Sequence, residues 1–105
     1  MIVSVDLTTT PAEVRLDEPD DCKRFHVAAR GAADAASLAD ALTAHAMGRT
    51  DGDDALIELE ALRRLAAGRV SDAWEADFAA MVEFARTNGW LDDTGSAIQA
   101  HVEWA

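Results

Sequence analysis

The sequence predicts a single α+β domain in which three helices pack on a small antiparallel sheet. Three patterns lead to this prediction. Apolar residues alternate in residues 2–7 and 23–29, recur at helical spacing in three stretches of residues 34–88, and alternate again in residues 90–104. The expected order of elements is β-(β)-β-α-α-α-β-β, with the strand in parentheses the least clearly marked. A length of 105 residues is typical of one domain, and we expect residues 1–105 to form it.

Residues 1–31 are expected to contain strands and an acidic loop. In residues 2–7 the larger apolar side chains fall on one face, as in a half-buried strand, and residues 23–29 repeat that alternation until Gly31 ends it. The intervening segment carries both prolines and many charges, which indicates a loop. Two apolar positions within it indicate a short edge strand at residues 13–16.

The first two helices are predicted from capping residues and apolar spacing. The first begins at Asp34 or Ser37, either of which can cap a helix, and ends at Gly48. The second covers residues 53–68, where acids come early and arginines late, as the helix dipole prefers. Ile57 would then lie opposite the leucine stripe of this helix, exposed to solvent.

The third helix has the clearest pattern. Asp72 and Glu75 have the spacing of a capping box at its start, and Asn88 and Gly89 supply a left-handed stop. Trp90 is then expected to pack back on the last turn. The apolar stripe of this helix repeats at i, i+4, i+7 and i+11 and consists of Trp74, Phe78, Met81 and Ala85.

Residues 90–104 are predicted to form a C-terminal β-hairpin. The sequence DDTGS at 92–96 is typical of a turn, and alternate residues of the returning strand are apolar up to Trp104. Helices followed by a hairpin also make up winged-helix DNA-binding domains, so a winged-helix-like topology is an alternative arrangement. The third helix and the turn, however, carry acids where such a domain would meet phosphates, which argues against nucleic-acid binding.

The charge of the chain restricts its partners. The net charge is −11, with 20 acidic residues against 9 basic ones. This charge repels phosphate backbones and anionic lipids, so we expect no nucleic acid and no membrane as partner, and a basic protein instead. A homodimer is a second partner that we consider. The N-terminus lacks the features of a signal peptide, and alanine and arginine usage is typical of a GC-rich bacterial genome, so we expect a cytoplasmic bacterial protein.

Motifs for metal, cofactor or catalytic chemistry are missing from the sequence. DGDD at 51–54 has the composition of an EF-hand loop start, but the later ligand positions of such a loop hold Ala55 and Leu62. Cys22 and His26 would stand about 13 Å apart along a strand, too far for a thiolate–imidazole pair. We therefore expect no catalytic residue, no metal and no cofactor.

These observations favour a protein-interaction or regulatory domain without catalytic activity. The candidate interface combines acids near the starts of the second and third helices with large apolar residues expected at the surface. It consists of Asp51, Asp53, Asp54, Asp72, Glu75, Asp77, Ile57, Trp90 and Trp104.

Two alternative functions remain open. An acidic inhibitor of a basic partner, such as an immunity protein or a DNA mimic, would need the acids of residues 51–60 and 72–83 on one contiguous face. A small enzyme or ligand-binding protein would need a deep pocket between the sheet and the helices, with His45 or His101 beside a carboxylate.

Overall fold

The computed structural model describes residues 1–31 and 34–104. In these residues the chain forms six strands and three helices, which confirms the α+β class, and the three N-terminal strands predicted from the sequence are present. In chain order the elements are β1 (Ile2–Asp6), β2 (Glu13–Asp17), β3 (His26–Arg30), α1 (Ala35–Ala44), β4 (Gly48–Asp51), β5 (Asp54–Glu58), α2 (Leu59–Ala66), α3 (Trp74–Thr87) and β6 (Ala97–Trp104).

The six strands form one sheet in the order β2-β1-β3-β6-β5-β4. β1 and β3 are parallel, and so are β3 and β6, while the other neighbours are antiparallel. The sheet is therefore mixed and not purely antiparallel as predicted, because apolar alternation identifies a strand but not the direction of its neighbours. β6 joins the two halves of the sheet: residues 97–101 pair with β5, and residues 102–104 pair with β3.

The predicted second helix, residues 53–68, is wrong in its first half. Residues up to Glu58 form β5, which pairs with β4 through a two-residue loop whose first residue, Gly52, has a φ of +62°. This is the loop position at which a type II′ hairpin turn requires glycine. Because only the remainder is helical, the element order becomes β-β-β-α-β-β-α-α-β.

Ile57 is consequently a core residue, and the prediction that it lies at the surface is wrong. Its side chain is fully buried, and it pairs in register with Ile98 of β6. In a strand, Ala55 and Ile57 share the inward face, whereas a helix would have turned Ile57 away from Leu59 and Leu62. The segment satisfies both apolar periods, and pairing with β6 decides between them.

Local signals end α3 and begin α1 as the sequence predicts. The Asp34 carboxylate accepts a hydrogen bond from the Ser37 N–H at 2.6 Å, so Asp34 is the N-cap of α1. After α3, the Trp90 N–H donates to the Ala85 carbonyl at 2.8 Å, and Gly89 has a φ of +74°. This is the Schellman arrangement expected of an Asn-Gly stop.

Two other predicted helix boundaries are wrong. α1 ends at Ala44 because the chain already turns at Ala46, whose φ is +54°, well before Gly48. The capping box of Asp72 and Glu75 does not form, since α3 begins at Trp74 and its N-cap position is taken by alanine.

The apolar core lies between one face of the sheet and the helices. α1 contacts β2 and β4, and α2 contacts β2 and β5, so each of these helices touches both halves of the sheet, which must curve around them. The predicted stripe of α3 is confirmed: Trp74, Phe78 and Ala85 are buried and Met81 is partly buried. Trp74 stacks on Phe78 with ring centroids 4.6 Å apart, and its indole N–H donates to the Pro19 carbonyl at 2.7 Å.

The predicted C-terminal hairpin is present only as a short bridge. Leu91 pairs with Ile98, and the Gln99 N–H donates to the Trp90 carbonyl at 2.7 Å. β6 has the predicted alternation, although Trp104 at its end is 42% exposed. A winged-helix-like topology stays a prediction.

Candidate functional site

A groove of about 1020 Å³ runs along α3 and is called the α3 groove here. One wall is a face of α3, the second is the loop of residues 20–25 before β3, and the floor reaches Ile98 of β6. The wall of α3 is formed by residues spaced i, i+3, i+4, i+7 and i+8, the period of one helical face. These residues are Asp77, Ala80, Met81, Phe84 and Ala85.

An exposed aromatic pair lies in the α3 groove. Phe84 is 62% exposed and Trp90 is 42% exposed, and their rings meet edge to face with centroids 5.6 Å apart. The Schellman motif after α3 positions Trp90, because it turns the chain back over the last turn of the helix. The predicted packing of Trp90 on this turn is confirmed. Aromatic side chains of this size are frequent among the residues that contribute most to protein–protein binding, and here two of them are exposed side by side.

Carboxylates from three separate elements surround the same groove. Asp20 and Asp21 come from the loop, Asp54 from β5 and Asp77 from α3. Among the described residues that line the groove, Lys23 is the one lysine or arginine side chain. The four carboxylates and one ammonium leave the groove with a net charge of −3 at neutral pH. A groove lined both by apolar side chains and by carboxylates is complementary to a molecule that is both apolar and cationic.

Hydrogen bonds hold two of these carboxylates in place. The Gln99 side-chain amide donates to Asp54 at 2.7 Å, while the Nδ1 atom of His101 lies 4.0 Å from the other oxygen of Asp54. Asp20 accepts hydrogen bonds from the Ser71 N–H at 3.0 Å and from the Ser71 hydroxyl at 3.1 Å. The carboxylates of Asp54 and Asp20 are therefore held in defined orientations, and a group held in this way loses less entropy when it forms an ion pair.

The structure divides the acids of the predicted interface into two sets. Asp54 and Asp77, one from each acidic segment, line the α3 groove. The others are exposed but lie outside the groove: Asp51 and Asp53 in the β4–β5 hairpin, and Asp72 and Glu75 around the start of α3.

The apolar residues of the predicted interface also separate. Trp90 lines the groove, Trp104 is exposed outside it at the end of β6, and Ile57 is buried in the core. Asp20 and Asp21 line the groove but are not part of the predicted interface, and neither is Phe84. At 100° per residue Phe84 lies about 100° from Ala85, on the flank of the buried stripe of α3. This angular offset is the signal in the sequence from which its exposure could have been predicted.

Cys22 lines the groove but is not set up as a nucleophile. Burial, followed by the charge of Asp77, raises the pKa of its thiol. A raised pKa keeps the thiol protonated near neutral pH, and the thiolate is the reactive form. His26, which the sequence analysis placed about 13 Å from Cys22, lies with its Nε2 atom 3.4 Å from a carboxylate oxygen of Glu103.

The remaining histidine, His45, has a structural contact. Its Nε2 atom lies 2.7 Å from the Ala12 carbonyl and so ties the end of α1 to the loop before β2. Within residues 1–31 and 34–104, His, Cys, Asp and Glu side chains do not gather in groups of three that could hold a metal ion.

A smaller cavity of about 420 Å³ lies where the parallel strands β1 and β3 end. Arg15 and Arg30 line it together with Asp6 and Glu13, so its charges balance. The Asp6 carboxylate is already engaged by the backbone N–H and the hydroxyl of Thr8. This cavity therefore lacks the aromatic surface and the single sign of charge that distinguish the α3 groove.

No protein-family model, curated protein or solved structure matches this chain. Among the residues that the structure describes, no helix combines the length and the apolar character needed to cross a membrane.

Proposed function

We propose that the chain is a cytoplasmic protein-interaction domain whose α3 groove binds an apolar segment of a basic protein. The observation that carries this proposal is that the exposed aromatic pair of Phe84 and Trp90 shares one groove with four carboxylates. Aromatic side chains at the centre of an interface supply most of its binding energy, and charges at its rim mainly steer the partner and select it.

Charge also separates the candidate partners. Each copy of the chain carries a net charge of −11, so a homodimer formed through the α3 groove would bring like charges together. Nucleic acids and anionic membranes are disfavoured for the same reason. A basic protein is attracted by the negative electrostatic field that repels these other candidate partners.

A ligand-binding function is the second candidate, because His101 and Asp54 share the groove and lie 4.0 Å apart. The His101 side chain is 69% exposed, however, so this pair lies at an open rim and not in the deep pocket that a small enzyme would need. An acidic inhibitor is a special form of the leading proposal, in which the basic partner is an enzyme and Asp54 and Asp77 take the place of phosphates.

Selection from a random peptide library tests the proposed function and does not require the natural partner to be identified first. Displayed 16-residue peptides would be selected on the immobilised full-length chain and then screened against Phe84→Ala. We expect the enriched peptides to combine aromatic or leucine residues with lysine or arginine, and to lose binding to Phe84→Ala by about tenfold or more.

Trp104→Ala is the matched control, because Trp104 is as exposed as Trp90 but lies outside the groove. The enriched peptides should bind this variant as they bind the unmodified chain. Enrichment of acidic peptides, or of peptides that ignore Phe84→Ala, would overturn the proposal. Failure of every peptide together with saturable binding of a small organic cation at His101 would support the ligand-binding function instead.

A further inference from the structure

We infer that the occupant of the α3 groove is a basic amphipathic α-helix that lies along α3. This inference rests on the proposed function and specifies the partner at the same site. It follows from the spacing of the residues on the α3 wall, the carboxylates that line the groove and the hydrogen bonding of β6 beside it.

The wall of α3 has the geometry of a helix-packing face. Its lining residues from Asp77 to Ala85 follow the i, i+3, i+4, i+7 and i+8 spacing and extend over about 12 Å at 1.5 Å per residue. Ala80 in the middle of this face is exposed and small, so a second helix could approach to the 8–10 Å axial distance of packed helices. Slightly more than two turns of a partner helix, at about 5.4 Å per turn, would cover the face.

The neighbouring strand argues against an extended peptide. Strand addition needs a free row of backbone N–H and carbonyl groups at a sheet edge. Where β6 meets the groove, the Gln99 N–H is already bonded to the Trp90 carbonyl at 2.7 Å. The other walls are a helix and an irregular loop, so side-chain packing is the mode of binding that the groove favours.

The charges of the groove specify where the cations of the helix belong. Asp77 lies on the α3 wall two turns before Phe84, and Asp20 and Asp21 face it from the loop. Apolar residues at i, i+3 or i+4, and i+7 of the partner helix would meet Met81, Phe84 and Trp90, as in other helix-in-groove complexes. Lysine or arginine on the flanks of that stripe would then meet the carboxylates.

Three synthetic 14-residue peptides form the test. The first carries leucine and phenylalanine at helical spacing on an otherwise lysine-rich sequence. The second has the same composition in an order without that period, and the third replaces each lysine of the first by glutamate. Fluorescence anisotropy with labelled peptides gives the affinities for the full-length chain, and circular dichroism of the mixtures reports helix formation.

We expect the first peptide to bind at least about tenfold more tightly than the other two, and to gain helicity on binding. Phe84→Ala should weaken it by about tenfold, while Trp104→Ala leaves it unchanged. Asp77→Asn should lower the affinity and its salt dependence, whereas the matched control Asp72→Asn, outside the groove, should change neither. Thermal melts of each variant would show that the fold is intact.

The outcomes separate this inference from the proposed function. Equal binding of the periodic and aperiodic basic peptides, both lost in Phe84→Ala, would overturn the helix and leave the proposed function standing. Binding of the first peptide that ignores Phe84→Ala would overturn both. Concentration-dependent self-association of the chain that Phe84→Ala abolishes would assign the groove to a second copy and overturn both as well.

Discussion

At the scale of single residues, burial separates two phenylalanines of α3 into different roles. Phe78 is fully buried, stacks on Trp74 and has the Arg63 guanidinium 5.0 Å above its ring. Phe84, six residues later, is 62% exposed, and its ring and that of Trp90 meet edge to face. The same type of side chain therefore stabilises the fold at one position and is left exposed to solvent at the other.

Truncation of the two phenylalanines should show this difference. Phe78→Ala leaves a cavity in the core and should lower the free energy of unfolding by about 3–5 kcal/mol. Phe84→Ala removes an exposed edge contact and should lower it by about 1 kcal/mol or less. Urea unfolding of both variants measures the two values. Equal losses would mean that the helical phase of α3 is wrong.

Asp92 is the residue through which we expect acid to loosen the turn before β6. Partial burial alone would raise the pKa of its carboxyl. The carboxylate, however, accepts hydrogen bonds from the N–H groups of Ala97 and Ser96, from the Thr94 hydroxyl and from Arg49. These hydrogen bonds outweigh the effect of burial and lower the pKa. A carboxyl whose pKa is lowered by folding stabilises the fold above its ordinary value of about 3.9, and this contribution is lost as the pH falls through the lowered value.

Asp92→Asn should therefore be less stable than the unmodified chain at pH 7, and the difference should shrink as the pH falls below about 4. Urea midpoints measured from pH 7 to pH 2.5 give both curves. Asp93→Asn, a change of the same type at an exposed neighbouring residue, is the control and should leave the pH profile nearly unaltered. A gap between Asp92→Asn and the unmodified chain that widens in acid would contradict the sign of the pKa change.

At the scale of elements, the β4–β5 hairpin is where the sequence analysis and the structure disagree most. Two glycines make this hairpin. Gly48, with a φ of +145°, starts β4, and a Cβ atom there would stand 1.9 Å from the Leu56 carbonyl oxygen. Gly52, with a φ of +62°, turns the loop, and a Cβ atom there would meet nothing within 4 Å. The first glycine is required by space and by backbone conformation, and the second by conformation alone.

Alanine at each glycine should separate these two requirements. Gly52→Ala should cost about 1 kcal/mol, the usual penalty of a left-handed alanine. Gly48→Ala adds a clash with backbone that cannot move away, so it should cost several times as much, about 3 kcal/mol or more. Thermal melts of both variants compare the costs. A Gly48→Ala variant as stable as Gly52→Ala would show that β4 does not pair closely with β5.

At the scale of the whole molecule, the charge and the compactness of the chain oppose each other. The radius of gyration is 13.0 Å, as expected of a compact chain of this size, and it confines a net charge of −11. Self-repulsion at this charge destabilises the compact state and keeps the protein in solution. The same field would attract a basic partner to the α3 groove, so the property that weakens the fold would also serve the proposed function.

Salt should consequently stabilise the unbound protein. Raising sodium chloride from about 0.02 to 0.5 M shortens the screening length to a few ångströms and should increase the melting temperature by several degrees. Potassium chloride should give the same increase, because screening depends on ionic strength and not on the identity of the cation. A lower melting temperature in salt would show that attractive ion pairs outweigh the net repulsion.

What the sequence by itself determines about this protein is local. The Asp34 cap, the stop at Asn88 and Gly89, the buried stripe of α3 and the alternation in β1 and β3 each depend on residues within a few positions of one another. Their geometry follows from one turn of helix or one stretch of strand, so a short window of sequence contains the whole signal.

Only the tertiary structure decides what depends on distant residues. The segment before Leu59 becomes a strand because Ile57 pairs with Ile98, 41 positions later. The spacing of its apolar residues fits a helix as well as a strand, so the segment alone does not decide between them. The groove likewise brings together Asp77 of α3, Asp54 of β5 and the loop of residues 20–25. These parts of the chain lie side by side because β6 pairs with both β3 and β5 and so joins the two halves of the sheet. Backbone pairing and burial across the whole chain set these positions, because the free energy gained by burying a strand depends on the partner that covers it as well as on the strand's own side chains.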